Sequence, residues 1–520
     1  MEIGKAEGAR ATGRILARPS TSLAPRIVVV GGGFAGVTAA LELGRRCSGQ
    51  LPVHVTLLSN RNFLLFTPML AEAATGAVES RHVVHPLRPL CGRWGVEFGE
   101  VEVEAVDLAR RQVTVRHHRS VVRQRVHYDR LVIALGASPN TAVAAGAAEH
   151  ALTFKSAGDA IRIRNHLIDL FEAAALTEDP WTRRHLLTFV VVGAGHAGTE
   201  LAAAVEELAR GILVRHYPTI RPEDVRLVLV GSAVLPQTAP DLAAYTKARL
   251  VARGIELEVG RAARVSPEGL TLADGRLLES RCVIWTAGNR VSPVVAALDL
   301  PKLKDGRLIV NERFEVEGAP GVYALGDNAA QIDPHSGQPY PATAQVALRQ
   351  GRALAQVIEA QLTGRPARPF AFRLLGEMVP LSRRTAVADL RGLKLYGFPA
   401  WLMWKTVYML KLPTLAQRLR VVLDWTVELF FERDVSELSA CPSGAASPSG
   451  WPRPSRSWPA PASSSAASCS TARRMPSCGG RSAPCSSTSH ARGACSWTAI
   501  FTLGSVGMEG PTRPSAIGCF

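Results

Sequence analysis

Two apolar strands that run straight into glycine-rich turns constrain this chain more than any other feature. Ile27-Val28-Val29-Val30 leads into Gly31-Gly32-Gly33-Phe34-Ala35-Gly36. Phe189-Val190-Val191-Val192 leads into Gly193-Ala194-Gly195-His196-Ala197-Gly198, about 160 residues later. Both fit G-x-G-x-x-G between a buried strand and a helical pattern. In such a unit the first glycine permits the tight turn and the second lets a pyrophosphate approach the backbone. The third lets helix and strand pack closely. The helix then presents free N–H groups and the positive end of its dipole to the phosphates. Two complete fingerprints point to two dinucleotides, a flavin and a nicotinamide cofactor that exchange hydride, with one working site and one relic as the alternative.

Strand-like runs at Val53–Leu58, Val101–Val106, Val113–Arg116, Leu131–Leu135, Val225–Val230, Ile255–Val259 and Val283–Thr286 alternate with helical patterns. That alternation predicts an α/β fold with parallel sheets, made of two Rossmann-like domains. An acidic residue normally ends the second strand of such a unit and binds the ribose hydroxyls. Here those places fall near Ser59 and Gly231. Ribose contacts must come from elsewhere, Ser232 and Gln237 being polar candidates, and the choice between NADH and NADPH stays open. His196 reads as a loop residue rather than a catalyst.

The chain carries +16 over 520 residues, but the charge is uneven. From Ala440 onward Glu509 is the only acid among seven arginines, with no lysine, so this tail contributes about +6. It also holds six of the nine cysteines. It is expected to be either a disordered extension or an out-of-frame translation of GC-rich DNA, and the abrupt loss of Lys and Asp favours the second. Residues 1–25 are expected to be a disordered leader. They lack the apolar run of a secretory signal, and Glu2 and Glu7 weaken a transit-peptide reading. No run of about 18 uncharged apolar residues occurs, so no membrane-spanning helix is expected. Nucleic-acid binding is a poor explanation of the charge, because no basic stripe with interleaved aromatics stands out. No metal is expected, since His82, His85, His117 and His118 lack a cysteine framework.

Taken in order, the motifs resemble the two-dinucleotide-binding-domain flavoproteins. Within them the chain is most similar to type II NADH:quinone oxidoreductases, the non-proton-pumping respiratory NADH dehydrogenases. The likeness spans about residues 26–438 and includes blocks beyond the glycines. Ser59-Asn60-Arg61-Asn62-Phe63-Leu64-Leu65-Phe66-Thr67-Pro68-Met69-Leu70 looks like the family's segment after the second strand, which implies FAD contacts from Ser59, Arg61 and Thr67. Val132-Ile133-Ala134-Leu135-Gly136-Ala137 and Trp285-Thr286-Ala287-Gly288 look like the turns that return each strand, giving Gly136 and Gly288. Gly321-Val322-Tyr323-Ala324-Leu325-Gly326-Asp327 resembles the second FAD motif, with Asp327 expected on the ribityl chain. Ala342-Thr343-Ala344-Gln345-Val346-Ala347-Leu348-Arg349-Gln350-Gly351 resembles the Ala-Gln motif, which implies that Gln345 borders the quinone head group. Glu200 matches a family glutamate near the nicotinamide–flavin junction and is expected to handle protons or position NADH, although a plain helix-surface glutamate remains the alternative. Lysine is common in the family before the glycine at Gly376, but Leu375 stands here, which puts a lysine contact to quinone in doubt.

The resemblance implies a FAD domain over 26–155 and 290–365, interrupted by an NAD(P)H domain over 156–289. A C-terminal amphipathic helical membrane-interface region follows over 366–438, and the tail fills 439–520. Disulfide reductases and sulfide:quinone oxidoreductases share this architecture but need paired cysteines. Cys47, Cys91 and Cys282 are isolated in sequence, so electrons are expected to leave the flavin directly for a quinone. Trp401, Trp404, Trp425 and Tyr408 with nearby lysines favour a bilayer interface. This stretch is expected to rest on the membrane as a monotopic anchor; a helical cap or a homodimer interface is the alternative. The expectation is thus a peripheral enzyme on the cytoplasmic face of the cell membrane, using FAD and NADH. Two competing readings are a soluble NAD(P)H reductase of an iron–sulfur protein and a nicotinamide-sensing flavoprotein with little turnover.

Overall fold

The computed structural model describes residues 24–48, 51–117 and 120–437. The leader and the tail, with the readings made of them, lie outside the described residues, apart from Ala24 and Pro25.

Two five-stranded parallel sheets form the frame. In the first the order is Val322–Ala324, Arg130–Ile133, Arg26–Val30, His54–Ser59, Glu97–Glu100. In the second it is Leu152–Thr153, Cys282–Trp285, Thr188–Val192, Arg226–Gly231, Ile255–Val259. Each glycine-bearing strand is therefore central, and its glycine turn opens where the strand order reverses. That crevice is where open α/β sheets bind ligands. Ile27, Val29, Val30 and Val190 are fully buried, because layers lie on both faces of each sheet and no strand position alternates outward.

The chain leaves the first sheet after Ile133, builds the second, and returns to add Val322–Ala324 to the first sheet's edge. The outgoing strand Ala137–Pro139 and the returning strand Asn289–Val291 pair antiparallel, so both connections form one ribbon. The helix Ala344–Leu362 packs on the first glycine helix, Phe34–Cys47. A Cβ at Gly351 would stand 2.7 Å from the Ala35 carbonyl, so the two backbones meet closely.

Three antiparallel sheets stand apart from the parallel frame, 102–127, 262–279 and 376–397; of these only two strands of the first, near Val101–Val106 and Val113–Arg116, were expected, and not their antiparallel pairing. The last corrects the reading of the C-terminal region as helical throughout. Strands Gly376–Pro380, Ala386–Leu390 and Leu393–Gly397 precede the two helices, Phe398–Lys411 and Leu415–Phe430. Gly376 has φ +127°, and Ser382, Arg383 and Arg384 all turn with positive φ. These breaks end any helix before Phe398. Among the described residues no helix is long and apolar enough to cross a membrane.

Candidate active site

The glycine turns test whether dinucleotides fit. A Cβ at Gly31 would stand 2.0 Å from the Ala134 carbonyl oxygen, and one at Gly36 would stand 2.1 Å from that of Gly31. A Cβ at Gly33 would meet nothing within 4 Å. The second turn repeats the pattern: Gly193 is hemmed in by Thr286 at 2.7 Å, Gly198 by the Gly193 oxygen at 1.7 Å, and Gly195 faces open space. In each turn the first and third glycines are closed by protein and the middle one is bare. A pyrophosphate needs that arrangement to reach a helix N-terminus.

Around the first turn, Ser59 is buried and its Oγ accepts from the Arg61 N–H at 3.1 Å. Arg61 and Thr67 are exposed, Thr67 opening the short turn Thr67–Met69. The Gly136 N–H donates to Asn328 Oδ1 at 2.9 Å, and the Gly326 N–H to Gln350 Oε1 at 2.9 Å. Asp327 lies beside Lys155, Nζ to Oδ2 3.5 Å. Asn328, Gln350 and Lys155 were not singled out from the sequence. Gln350 lies inside a quoted motif and Asn328 directly follows one; Lys155 carries no local signal. In the second half, Gly288 has φ +70° and its carbonyl accepts from the Asn140 N–H.

Glu200 lies one turn inside the second glycine helix, on the wall of a cavity of about 560 Å³. Glu72, Glu207, Glu428, Lys405, Arg383 and Arg433 share that wall, with Trp401 and Trp425. Burial pushes the Glu200 carboxyl up to about 8, and the Glu72 charge adds to the rise. Burial also lifts Glu72, to about 7, while the Lys405 ammonium 4.0 Å away works against the rise. Lys405 is itself sandwiched between two indoles, 4.8 Å from the Trp401 centroid and 4.2 Å from that of Trp425. This geometry holds a cation without a full hydration shell. An edge-to-face ladder runs from Phe34, on the first glycine helix, through Phe66 to Tyr408 on the helix Phe398–Lys411, and burial and the Glu200 charge push the Tyr408 phenol up. Glu200 is thus no surface glutamate.

Gln345 is not on the cavity wall. Its Oε1 accepts from the Leu375 N–H at 2.8 Å and its Nε2 donates to the Gly376 carbonyl at 3.4 Å. Leu375, where the family often has lysine, thus contributes its backbone to Gln345. His196 is more than a loop residue: its Nε2 lies 2.8 Å from Glu377 Oε2. Cys47, Cys91 and Cys282 are buried, free thiols; burial pushes Cys282 up to about 12 and Cys91 to about 11, so none is a ready thiolate. Among the described residues no cluster could hold a metal ion.

The family described as pyridine nucleotide-disulphide oxidoreductase matches residues 25–351, and the NDH2 C-terminal domain matches residues 376–434. A demethylphylloquinone reductase of Synechocystis sp. is 32% identical over 78% of this chain and 96% of its own length. A type II NADH:quinone oxidoreductase of Mycobacterium tuberculosis is 32% identical over 78% of this chain and 89% of its own. The fold is shared with NDH2 of Plasmodium falciparum in complex with NADH, at TM-score 0.73 and 19% identity, covering 79% of this chain and 99% of that one. With matched glycine turns, a free-thiol core and an NDH2 C-terminal domain, the chain belongs to the type II NADH:quinone oxidoreductases, FAD-dependent enzymes of the pyridine nucleotide-disulphide oxidoreductase superfamily.

Proposed function

We infer that this chain passes two electrons from NADH through FAD to a quinone that arrives from a membrane surface, with no proton pumping. The observation that carries the reading is the pairing of two open glycine turns with the carboxylate cavity beside an uncovered apolar helical end. Gly31, Gly33, Gly36, Ser59, Arg61, Thr67, Gly136, Gly326 and Asp327 would hold FAD. Gly193, Gly195, Gly198 and Gly288 would hold NADH. Bound FAD supplies the two-electron chemistry that no side chain here can supply.

The protein's own contribution is orientation and proton handling. Burial favours the protonated form of Glu200, so its carboxyl can donate a proton into the cavity, where a reduced quinone needs one. Glu72 sits beside it and can return the proton. Gln345 fixes the backbone at Leu375 and Gly376, and an amide can follow a carbonyl through reduction without carrying charge. Gly231, where an acid would reject a 2′-phosphate, leaves NADPH admissible.

The membrane reading rests on the last helix. Leu415, Leu419, Leu423, Val427, Phe430 and Phe431 are each more than half exposed. Such a contiguous apolar face marks an interaction surface. An interface with a second copy of the chain would cover the same face. Purified, FAD-loaded protein should oxidise NADH with quinone analogues, faster with liposomes than without, and should float with them. Failure with every quinone would overturn the reading; a stable dimer that ignores liposomes would overturn the membrane part.

A further inference from the structure

Three consecutive residues, Leu375-Gly376-Glu377, touch the starts of two different helices. On one side the Gln345 amide, at the second position of the helix Ala344–Leu362, binds the Leu375 N–H and the Gly376 carbonyl. On the other side the Glu377 carboxylate meets His196, the first residue of the helix His196–Glu206, at 2.8 Å. The same oxygen accepts from Thr238 Oγ1 at 3.0 Å. Thr238 belongs to the loop that follows the strand Arg226–Gly231. That loop is tied to the second glycine turn by the Leu235 N–H, which donates to the Ala194 carbonyl at 2.8 Å. Gly376 between them has no latitude: a Cβ there would stand 1.8 Å from the Asp389 carbonyl oxygen.

We propose that Glu377 is a positioning residue for NADH, and that the strap 375–377 sets the second glycine turn and the Gln345 side of the site together. The carboxylate fixes the His196 ring beside Gly195, the bare glycine where a pyrophosphate must approach. It also fixes the Thr238 loop where the adenosine end lies in a unit of this type. A charge-assisted bond inside a partly buried site holds its partners more firmly than a neutral one. Without it both segments are free to relax, and NADH must order them at its own expense. Burial alone would raise the Glu377 carboxyl, but His196, Thr238 and the Ala239 N–H together hold it below the usual carboxylate range. Because Glu377 and Gln345 share the strap without touching each other, disturbance at one end reaches the other through two peptide units.

The inference rests on the NADH-to-quinone reading, and equilibrium binding separates the two. NAD+ is titrated into oxidised, FAD-loaded protein, and KM for NADH and for a soluble quinone is measured in parallel. Glu377→Ala and His196→Ala should each weaken NAD+ binding about tenfold, with the flavin spectrum retained. The double variant should be no weaker than Glu377→Ala alone, since His196→Ala removes only a bond that Glu377→Ala has already removed. Glu377→Gln, which keeps the shape, should fall between wild type and Glu377→Ala. Gln345→Ala, at the far end of the strap, should also weaken NAD+ binding. Unchanged NAD+ affinity in Glu377→Ala, additive losses in the double variant, or an unaffected Gln345→Ala would overturn the proposal. A wild-type protein that binds NAD+ but reduces no quinone would instead overturn the functional reading.

Discussion

The Glu200–Glu72 pair makes the sharpest demand on experiment. Raising the Glu200 carboxyl from its ordinary 4.5 to about 8 means that its ionised form is disfavoured in the folded chain by about 5 kcal/mol, at about 1.4 kcal/mol for each tenfold step in proton activity. The folded chain binds this proton more tightly than the unfolded one. Stability therefore falls as pH rises from about 4.5 to about 8 and levels off above. Glu200→Gln removes that slope, so its gain in melting temperature over wild type should grow from pH 6 to pH 9. Glu72→Gln removes a negative neighbour and should move the Glu200 titration to lower pH. Turnover should follow: if the protonated carboxyl is the donor, NADH:quinone activity in wild type drops through about pH 8, earlier in Glu72→Gln, and without that inflection in Glu200→Gln. The assay is a set of melts and steady-state rates on FAD-loaded protein from pH 5.5 to 9.5. An inflection that survives Glu200→Gln, or one that moves upward in Glu72→Gln, would refute the reasoning.

Other consequences are simpler to check. Gly198→Ala places a Cβ 1.7 Å from the Gly193 carbonyl oxygen and should abolish NAD+ binding while leaving the flavin absorbance in place, as read by titration. Lys405→Met strips Glu72 of its nearest cation and two indoles of theirs; a melting temperature lower at pH 8 than at pH 5.5, relative to wild type, is the expected result, worth about 1–2 kcal/mol. Leu423→Asp with Phe430→Asp puts two charges on the open face and should abolish co-flotation with anionic liposomes while leaving NADH oxidation by a soluble quinone unchanged.

Much of the frame was legible in the sequence because local patterns specify it. Apolar runs of four valine-like residues before glycine turns can only be buried central strands, and the strand expected at Ile255–Val259 has those limits. The antiparallel sheet 376–397 was less legible. Ala386-Val387-Ala388 is short and built of small residues, so its periodicity does not separate strand from helix. The site divides in the same way. The glycines are motif residues and carry their reasons with them. Glu200 was visible only as one candidate, because what sets its chemistry is burial by the folded chain, with the Glu72 charge from a different segment adding to it. The contact of His196 with Glu377 was not legible for the same reason: the two lie 181 residues apart. Charge pairs formed by tertiary packing leave no local trace.

The ribbon of Ala137–Pro139 and Asn289–Val291 has a consequence for how such a protein can be inherited. The chain departs from the first sheet and comes back to it at one address, the two strands lying side by side. A segment whose ends are adjacent can be cut out and replaced as a cassette without redrawing the sheet that receives it. A replacement spliced in at that address would have to bring its own counterparts of Glu200, which lines the cavity, and of His196, which meets Glu377, because both lie between the two strands.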